Sequence, residues 1–415
     1  DEGAGPPLLV GSRAMLGFAH DPTLKEALWA NRTTVSSTWG LTCIGGVPFE
    51  FAELVMRCLV LFVFIAFARP LSTAKGQRLC VAFAIAASVA ASACALFPNE
   101  TAASFSAVLT AVTEAVVFLM WLMFFGRMRT GQVFVLLVAS QATGAILFLG
   151  ALLLGKSALL LIAFAFPSCS LIALLLSLKL DTCSSDEGSA SLDRKKQGSD
   201  APRESEENRE RLLPAEARTL WRVLGALALY AFSFSLVGAG ASSSDVRTLP
   251  GYIVEPVDVL LLAGVVALLF LPRKRSVGTP YGLYGAVPLV MGVGFVALVF
   301  SPNTSGIALC LVGFGFVTFQ VLALNDSCNI IQRTGEKLLR TMAIVRLAIS
   351  VGFAAGFSVA FCLGSFFPDS FSPMATAVGM LAVIVACSMV FTDRSQAQLR
   401  VVANGRVLEE ASGPR

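Results

Sequence analysis

The chain has 415 residues, 56% of them hydrophobic and 14% charged, with a formal net charge of +4. These proportions lie far outside the range of soluble domains and indicate a polytopic membrane protein. With so little net charge, where Lys and Arg fall along the chain says more than their sum.

Residues 1–50 open at Asp1 with no initiator Met, which reads as a fragment or a processed end. The apolar run Leu8 to Ala19 is too short to span a bilayer, because His20, Asp21, Lys25, Glu26 and Arg32 follow it. Apolar segments of spanning length then recur at 51–68, 79–97, 103–125, 131–154 and 157–179, and again at 219–240, 252–271, 280–300, 305–324, 341–363 and 373–392. In a bilayer each must be helical, since a lone apolar segment can satisfy its backbone polar groups only within itself. The expected fold is therefore an all-α polytopic membrane protein with eleven visible spans.

Between the two sets lies a polar tract, 180–218, rich in Ser, Glu, Asp, Arg and Lys and lacking aromatics. It cannot bury enough surface to offset the entropy of ordering it, so it is expected to be a linker. The domain plan is thus an N-terminal segment 1–50, a first bundle 51–179, the linker 180–218, a second bundle 219–392 and a tail 393–415.

Basic residues fall in every second connection, with Lys156 and Arg247 as exceptions: Arg69, Lys75 and Arg78; Arg127 and Arg129; the linker; Arg273, Lys274 and Arg275; Arg333, Lys337 and Arg340; Arg394 and Arg400. The positive-inside rule then assigns the linker and tail to the cytoplasm and residues 1–50 to the outside.

The halves read as a repeat. Glu50 and Glu53 are matched by Glu255 and Asp258 at an offset of 205, and Arg69 by Arg273 at 204. Pro98, Asn99 and Thr101 are matched by Pro302, Asn303 and Ser305 at the same 204. Projecting 219–240 back by 205 lands on 14–35, which is not apolar, so the first bundle lacks a helix where the repeat demands one: six spans plus six, with the first missing.

Ionisable groups inside a span cost roughly 2.5–3.5 kcal/mol each at the helix centre, so each needs a reason. Glu114 lies mid-span, with Ser106, Thr110, Thr113 and Trp121 at helical spacing on one face, a pattern that predicts a cavity wall. Gln141 sits at similar depth in the next span, and Pro167 is expected to kink the one after. Tyr230 and Ser233 share a face, and Gln320 falls towards the cytoplasmic end of 305–324. Ligand binding and helix-to-helix hydrogen bonding are both open for these polar residues. Glu53 and Arg57, one turn apart, are placed to pair; Gly352 and Gly356 form a small-xxx-small packing step. Cysteines in the apolar runs read as small packing residues. There is no Gly-rich phosphate loop, His/Cys metal cluster or nucleophile triad, so no catalytic residue, cofactor or metal is expected and the chain does not read as an enzyme.

Two six-helix halves joined by a long cytoplasmic linker resemble the major facilitator superfamily. The loop Arg69 to Arg78 is similar in part to the superfamily's signature after its second helix. Gly76 and Arg78 match, while Arg69, Thr73 and Ala74 occupy the slots for Gly, Asp and Arg. The resemblance implies that the spans carrying Glu114, Tyr230 and Gln320 line a central cavity. It also implies a lipid bilayer and a small-molecule ligand as partners. The topology is similar as well to bacterial regulators whose transporter-like membrane part precedes a LuxR-type DNA-binding domain. Two functions follow: a transporter-like sensor in the bacterial inner membrane, touching DNA only through a domain absent from this chain, or a secondary transporter. The departures in the loop favour the sensor.

Overall fold

In the computed structural model, the described residues are 43–44, 47–95, 100–126, 128, 130–154, 169–172, 174, 214–243, 251–270, 282–300, 305–334, 338–367 and 371–391. A two-residue antiparallel ladder, β1 (Cys43–Ile44) with β2 (Val47–Pro48), leads into the first long helix. The helices are α1 (Phe49–Ala66), α2 (Ala68–Leu71), α3 (Ala74–Ala95), α4 (Glu100–Phe125) and α5 (Thr130–Leu154), followed by α6 (Pro214–Ser243), α7 (Gly251–Phe270), α8 (Gly282–Phe300), α9 (Ser305–Thr334), α10 (Leu338–Phe366) and α11 (Phe371–Phe391). The all-α bundle expected from the sequence is what forms. The segment at 157–179 is described only at 169–172 and 174; Pro167, the linker up to residue 213 and the tail lie outside the described residues.

Among the described residues, six helices are long and apolar enough to cross a membrane by length and composition. Two shorter apolar stretches lie in α7 and α8. The count of eleven spans is thus met only approximately. α1 has spanning length but carries Glu50, Glu53 and Arg57. One boundary differs clearly: the span expected to stop at 324 continues as α9 to Thr334. The polar run Asn325 to Asn329 had been read as the end of the apolar segment. Its polar groups are carried inside the bundle instead, with Asn325, Ser327 and Cys328 buried.

The repeat appears in the packing. α1 lies against α10 and α7 against α5; α4 also touches α10, as α9 touches α5. Within the halves, α3 packs on α4 as α8 packs on α9, and α1 on α4 as α7 on α9. Pairing α1 with α7, α3 with α8, α4 with α9 and α5 with α10 maps every one of these contacts onto another, as two pseudo-symmetric bundles require. α4 and α9, partners in this scheme, are the most enclosed spans: 83% and 72% of their apolar windows are buried, against 28% for α10 and 39% for α11.

The outer surface carries exposed apolar stripes, for instance Leu289, Val293 and Val296 on α8 and Leu59, Phe62 and Val63 on α1. In water such a surface would aggregate; against acyl chains it is the solvated face. Backbones approach closely where side chains vanish. A Cβ at Gly352 would strike the Ala228 carbonyl oxygen, and one at Gly356 that of Phe232, so the step read from sequence seats α10 directly on α6.

The turn between α1 and α3 is held by local bonds. Thr73 precedes α3, and its hydroxyl accepts from the Gly76 N–H at 3.1 Å and donates to the Pro70 carbonyl at 2.8 Å. Gln77 Nε2 donates to the Ser72 carbonyl at 2.9 Å. A Cβ at Gly76 would meet the Pro70 carbonyl, which accounts for glycine there.

Candidate functional site

α4 brings an acid deep into the bundle. Glu114 stands eleven residues before Phe125, about 16 Å of helix from that end, and is 1% exposed. Its partner comes from α1. Arg57, 4% exposed, donates through Nη2 to Glu53 Oε1 at 2.7 Å, one turn back on its own helix, and to Glu114 Oε2 on α4. The pairing of Glu53 with Arg57 was legible from their spacing of four. The bond to Glu114 was not, because no sequence interval relates α1 to α4.

A second guanidinium arrives from the other half. Arg346 of α10 sets its Cζ 4.1 Å from the ring centroid of Phe118, one turn beyond Glu114 on α4. Two carboxylates thus share the Arg57 guanidinium between α1 and α4, and Arg346 of α10 lies over Phe118 one turn along α4. Each charge alone would cost a few kcal/mol at this depth, a cost that pairing offsets. One turn further along α10, the Ser350 hydroxyl is 1% exposed and makes no hydrogen bond among the described residues.

The polar face read along α4 divides three ways. Ser106 donates to the Ala91 carbonyl at 3.1 Å, while Thr113 donates to its own helix at Leu109 (2.9 Å) and lies 3.5 Å from the Ala84 carbonyl, so both hydroxyls lie along α3. Glu114 turns to α1. Trp121 donates from Nε1 to Ser170 Oγ at 3.0 Å, its ring edge-on to Phe124. Thr110 is buried on the same helix. The face is a set of packing seams here and not one open wall, because a 3.6-residue period spreads these positions over more than one neighbour.

The remaining candidates are dispersed. Gln141 on α5 is buried, and its Oε1 has no hydrogen-bond partner among the described residues. Tyr230 on α6 packs its ring on Phe319 of α9 at 4.5 Å, and Tyr284 meets the same ring at 5.6 Å. Ser233 donates to the Leu229 carbonyl at 2.9 Å and the Gly379 carbonyl at 3.2 Å, joining α6 to α11. Gln320 is half-buried near the middle of α9, since that helix outruns its expected end.

Three features escaped the sequence reading. Thr318 is buried with its hydroxyl unbonded among the described residues. Tyr284 donates to Asp326 Oδ2 at 2.7 Å. At the end of α4, a Cβ on Gly126 would press on the Leu338 side chain at the start of α10. Thr318 already lay inside the expected span as a mid-helix hydroxyl; the second could have been found had the helix been carried through the polar run, and the third needed the packing of the halves.

No protein-family model matches the chain, and no curated protein matches it. Solved structures do. The crystal structure of the human organic anion transporter MFSD10 (TETRAN) aligns over 92% of this chain and 100% of its own at 14% identity, with a TM-score of 0.57. A bacterial homologue of the iron transporter ferroportin, in an outward-facing state, aligns over 92% of this chain and 98% of its own at 12% identity, also with a TM-score of 0.57. The chain therefore shares the fold of these two transporter structures, an all-α bundle whose apolar helices are suited to contact with lipid.

Proposed function

We propose that the chain is a secondary transporter of the major facilitator type, which binds a small solute where the halves meet and exposes it to either side of the membrane in turn. The observation that carries this reading is the buried ion-paired trio Glu53, Arg57 and Glu114, with Arg346 of the other half over Phe118 one turn away, at the seam of two pseudo-symmetric bundles. Charge at this depth is costly and is retained where it serves a pathway or a coupling step. A closed seam also fits rocking of one half on the other.

In this reading Glu114 is the coupling acid, with Arg57 and Arg346 fixing its charge state. Gln141 and Tyr230 stand on α5 and α6 as further solute contacts, and Gln320 on α9. Thr110, Trp121 and Ser233 act by setting the positions of α4 and α6. In this reading the linker and tail lie on the cytoplasmic side, which the distribution of Lys and Arg supports; a bacterial inner membrane remains part of the proposal.

The neighbours in fold are transporters, and this supports transport over the sensor reading. No observation supports a LuxR-type regulator. The loop at 69–78 is what favours a bundle that binds without moving its ligand, since Thr73, in the slot of the signature's Asp, caps α3. Purified protein in proteoliposomes decides between them. Solute accumulation driven by an imposed proton gradient, lost in Glu114→Gln, is the expected result; binding with no flux of any solute would contradict it.

A further inference from the structure

Between α8 and α11, both in the second half, the surface is cut by an apolar groove of about 510 Å³. Its α8 wall is Pro288 and Gly292, one turn apart; its α11 wall is the stripe Met380, Ile384 and Ser388, with Val383 buried beneath. Near the middle of α11 the groove is closed by Phe295 of α8, which lies so close over Gly379 that a Cβ there would strike the ring. From Met380 to Ser388 it runs ~12 Å along the helix, and it ends three residues short of Phe391, where α11 stops. That length is close to the ~15 Å of hydrocarbon in one leaflet of a bilayer.

Gly and Pro both weaken a helix interior, so two of them one turn apart on one face need a reason. Packing inside the protein does not supply it at Gly292. A Cβ there would meet nothing within 4 Å among the described residues, whereas at Gly294 it would strike the Ala308 carbonyl oxygen of α9. Gly294 lets two helices touch; Gly292 keeps a space open. The flanks show what that space faces, since Leu289 and Val293 on α8 and Leu381 and Ile384 on α11 are each more than half exposed. No charged side chain lines the groove, and its one side-chain hydroxyl, Ser388 at the open end, donates to the Val385 carbonyl at 2.7 Å.

We infer that the groove seats one acyl chain of a bilayer phospholipid, lying lengthwise between α8 and α11 with its headgroup beyond Ser388. Lipid tails are as apolar as the lining, so transfer out of water does not drive the chain in. Dispersion does: an unfilled groove forfeits contacts along both walls, and a flexible chain restores them. α11, with only 39% of its apolar window buried by protein, gains the most. Both walls belong to one half, so the chain stays seated whether or not the halves move, and the inference is independent of the transporter reading.

The test uses the full chain in nanodiscs of dioleoylphosphatidylcholine doped with a phosphatidylcholine that carries a diazirine on one acyl chain. After photolysis, residues 380–388 are expected to be labelled more heavily than Leu59, Phe62 and Val63 of α1, which are as open to lipid. Gly292→Phe fills the space from the α8 side. It is expected to leave the unfolding temperature of the lipid-stripped protein unchanged or raised and the labelling of α1 as before. At 380–388 it lowers labelling about ten-fold, the weight of roughly ten lost carbon–carbon contacts. In detergent, the lipid-stripped parent is stabilised by dioleoylphosphatidylcholine but not by dihexanoylphosphatidylcholine, which bears the same headgroup on short chains. The inference is overturned if the parent is labelled no more at 380–388 than on α1, if folded Gly292→Phe is labelled as the parent is, or if the short-chain lipid or cholesterol stabilises as well as the long-chain one. It is also overturned if the parent is a dimer that Gly292→Phe converts to a monomer, which would make the groove an interface between copies.

Discussion

The two halves share a shape and differ in charge. In the first, Glu53 and Glu114 converge on Arg57. In the second, Asp258 takes the place of Glu53 and is fully buried, but at offsets of 204–205 Arg57 falls opposite Leu261 or Leu262 and Glu114 opposite Thr318 or Phe319. Asp258 lies instead against Gly313, which also faces the Phe234 ring; Phe234 stacks on Phe316 at 5.2 Å and both meet Phe353 edge-on. The packing plan is the same in both halves, while the carboxylates that share Arg57 stand in the first and the stacked rings in the second. A symmetric scaffold can thus carry different side chains in its two halves, with Arg346 of the second set over Phe118 of the first.

The comparison breaks most severely at Arg57. Arg57→Leu leaves Glu53 and Glu114 buried without their shared cation and is expected to cost ~3–5 kcal/mol in denaturant unfolding. Replacing all three by Leu together is expected to recover most of that loss. If the single substitution is silent, the trio is not a stabilised unit. Leu262→Arg, which restores symmetry of sequence in the second half, is expected to destabilise by ~2.5–3.5 kcal/mol, because the α9 position matching Glu114 is Thr318 or Phe319 and offers no carboxylate. A stable Leu262→Arg protein would show that the asymmetry of charge carries no structural weight.

Gly352→Ala probes packing alone. Its Cβ meets the α6 backbone, not a flexible side chain, so α10 must shift and ~1–3 kcal/mol is expected to be lost. The smallest effect is at Ser233→Ala, where one hydroxyl bonds across to α11: ~0.6 kcal/mol, measured the same way.

Much of the fold was legible because the bilayer restricts it: apolar runs must be helices, and their spacing and loop charges carry the plan of two halves. The end of α9 was not, since Asn325 to Asn329 look like a loop unless one knows that the helix carries them inside the bundle, where Asp326 accepts from Tyr284. The site was legible in part. Glu114 announced itself as an acid out of place, and Glu53 with Arg57 by their interval. Their union, Arg346 over Phe118 and the unbonded Ser350 depend on which helices meet across the seam, which no local pattern encodes. Trp121 and Ser233 show the converse: polar groups at helical spacing whose bonds run to Ser170 and Gly379.

The central claim is that the halves part at the seam to move a solute. Gly126 at the end of α4 and Leu338 at the start of α10 touch across it. In a background freed of native cysteines, Gly126→Cys with Leu338→Cys should cross-link, directly or through a short bis-maleimide. Solute flux in proteoliposomes is predicted to stop when the direct link forms and to return on reduction. Flux that continues at the parent rate with the cross-link complete would contradict the account.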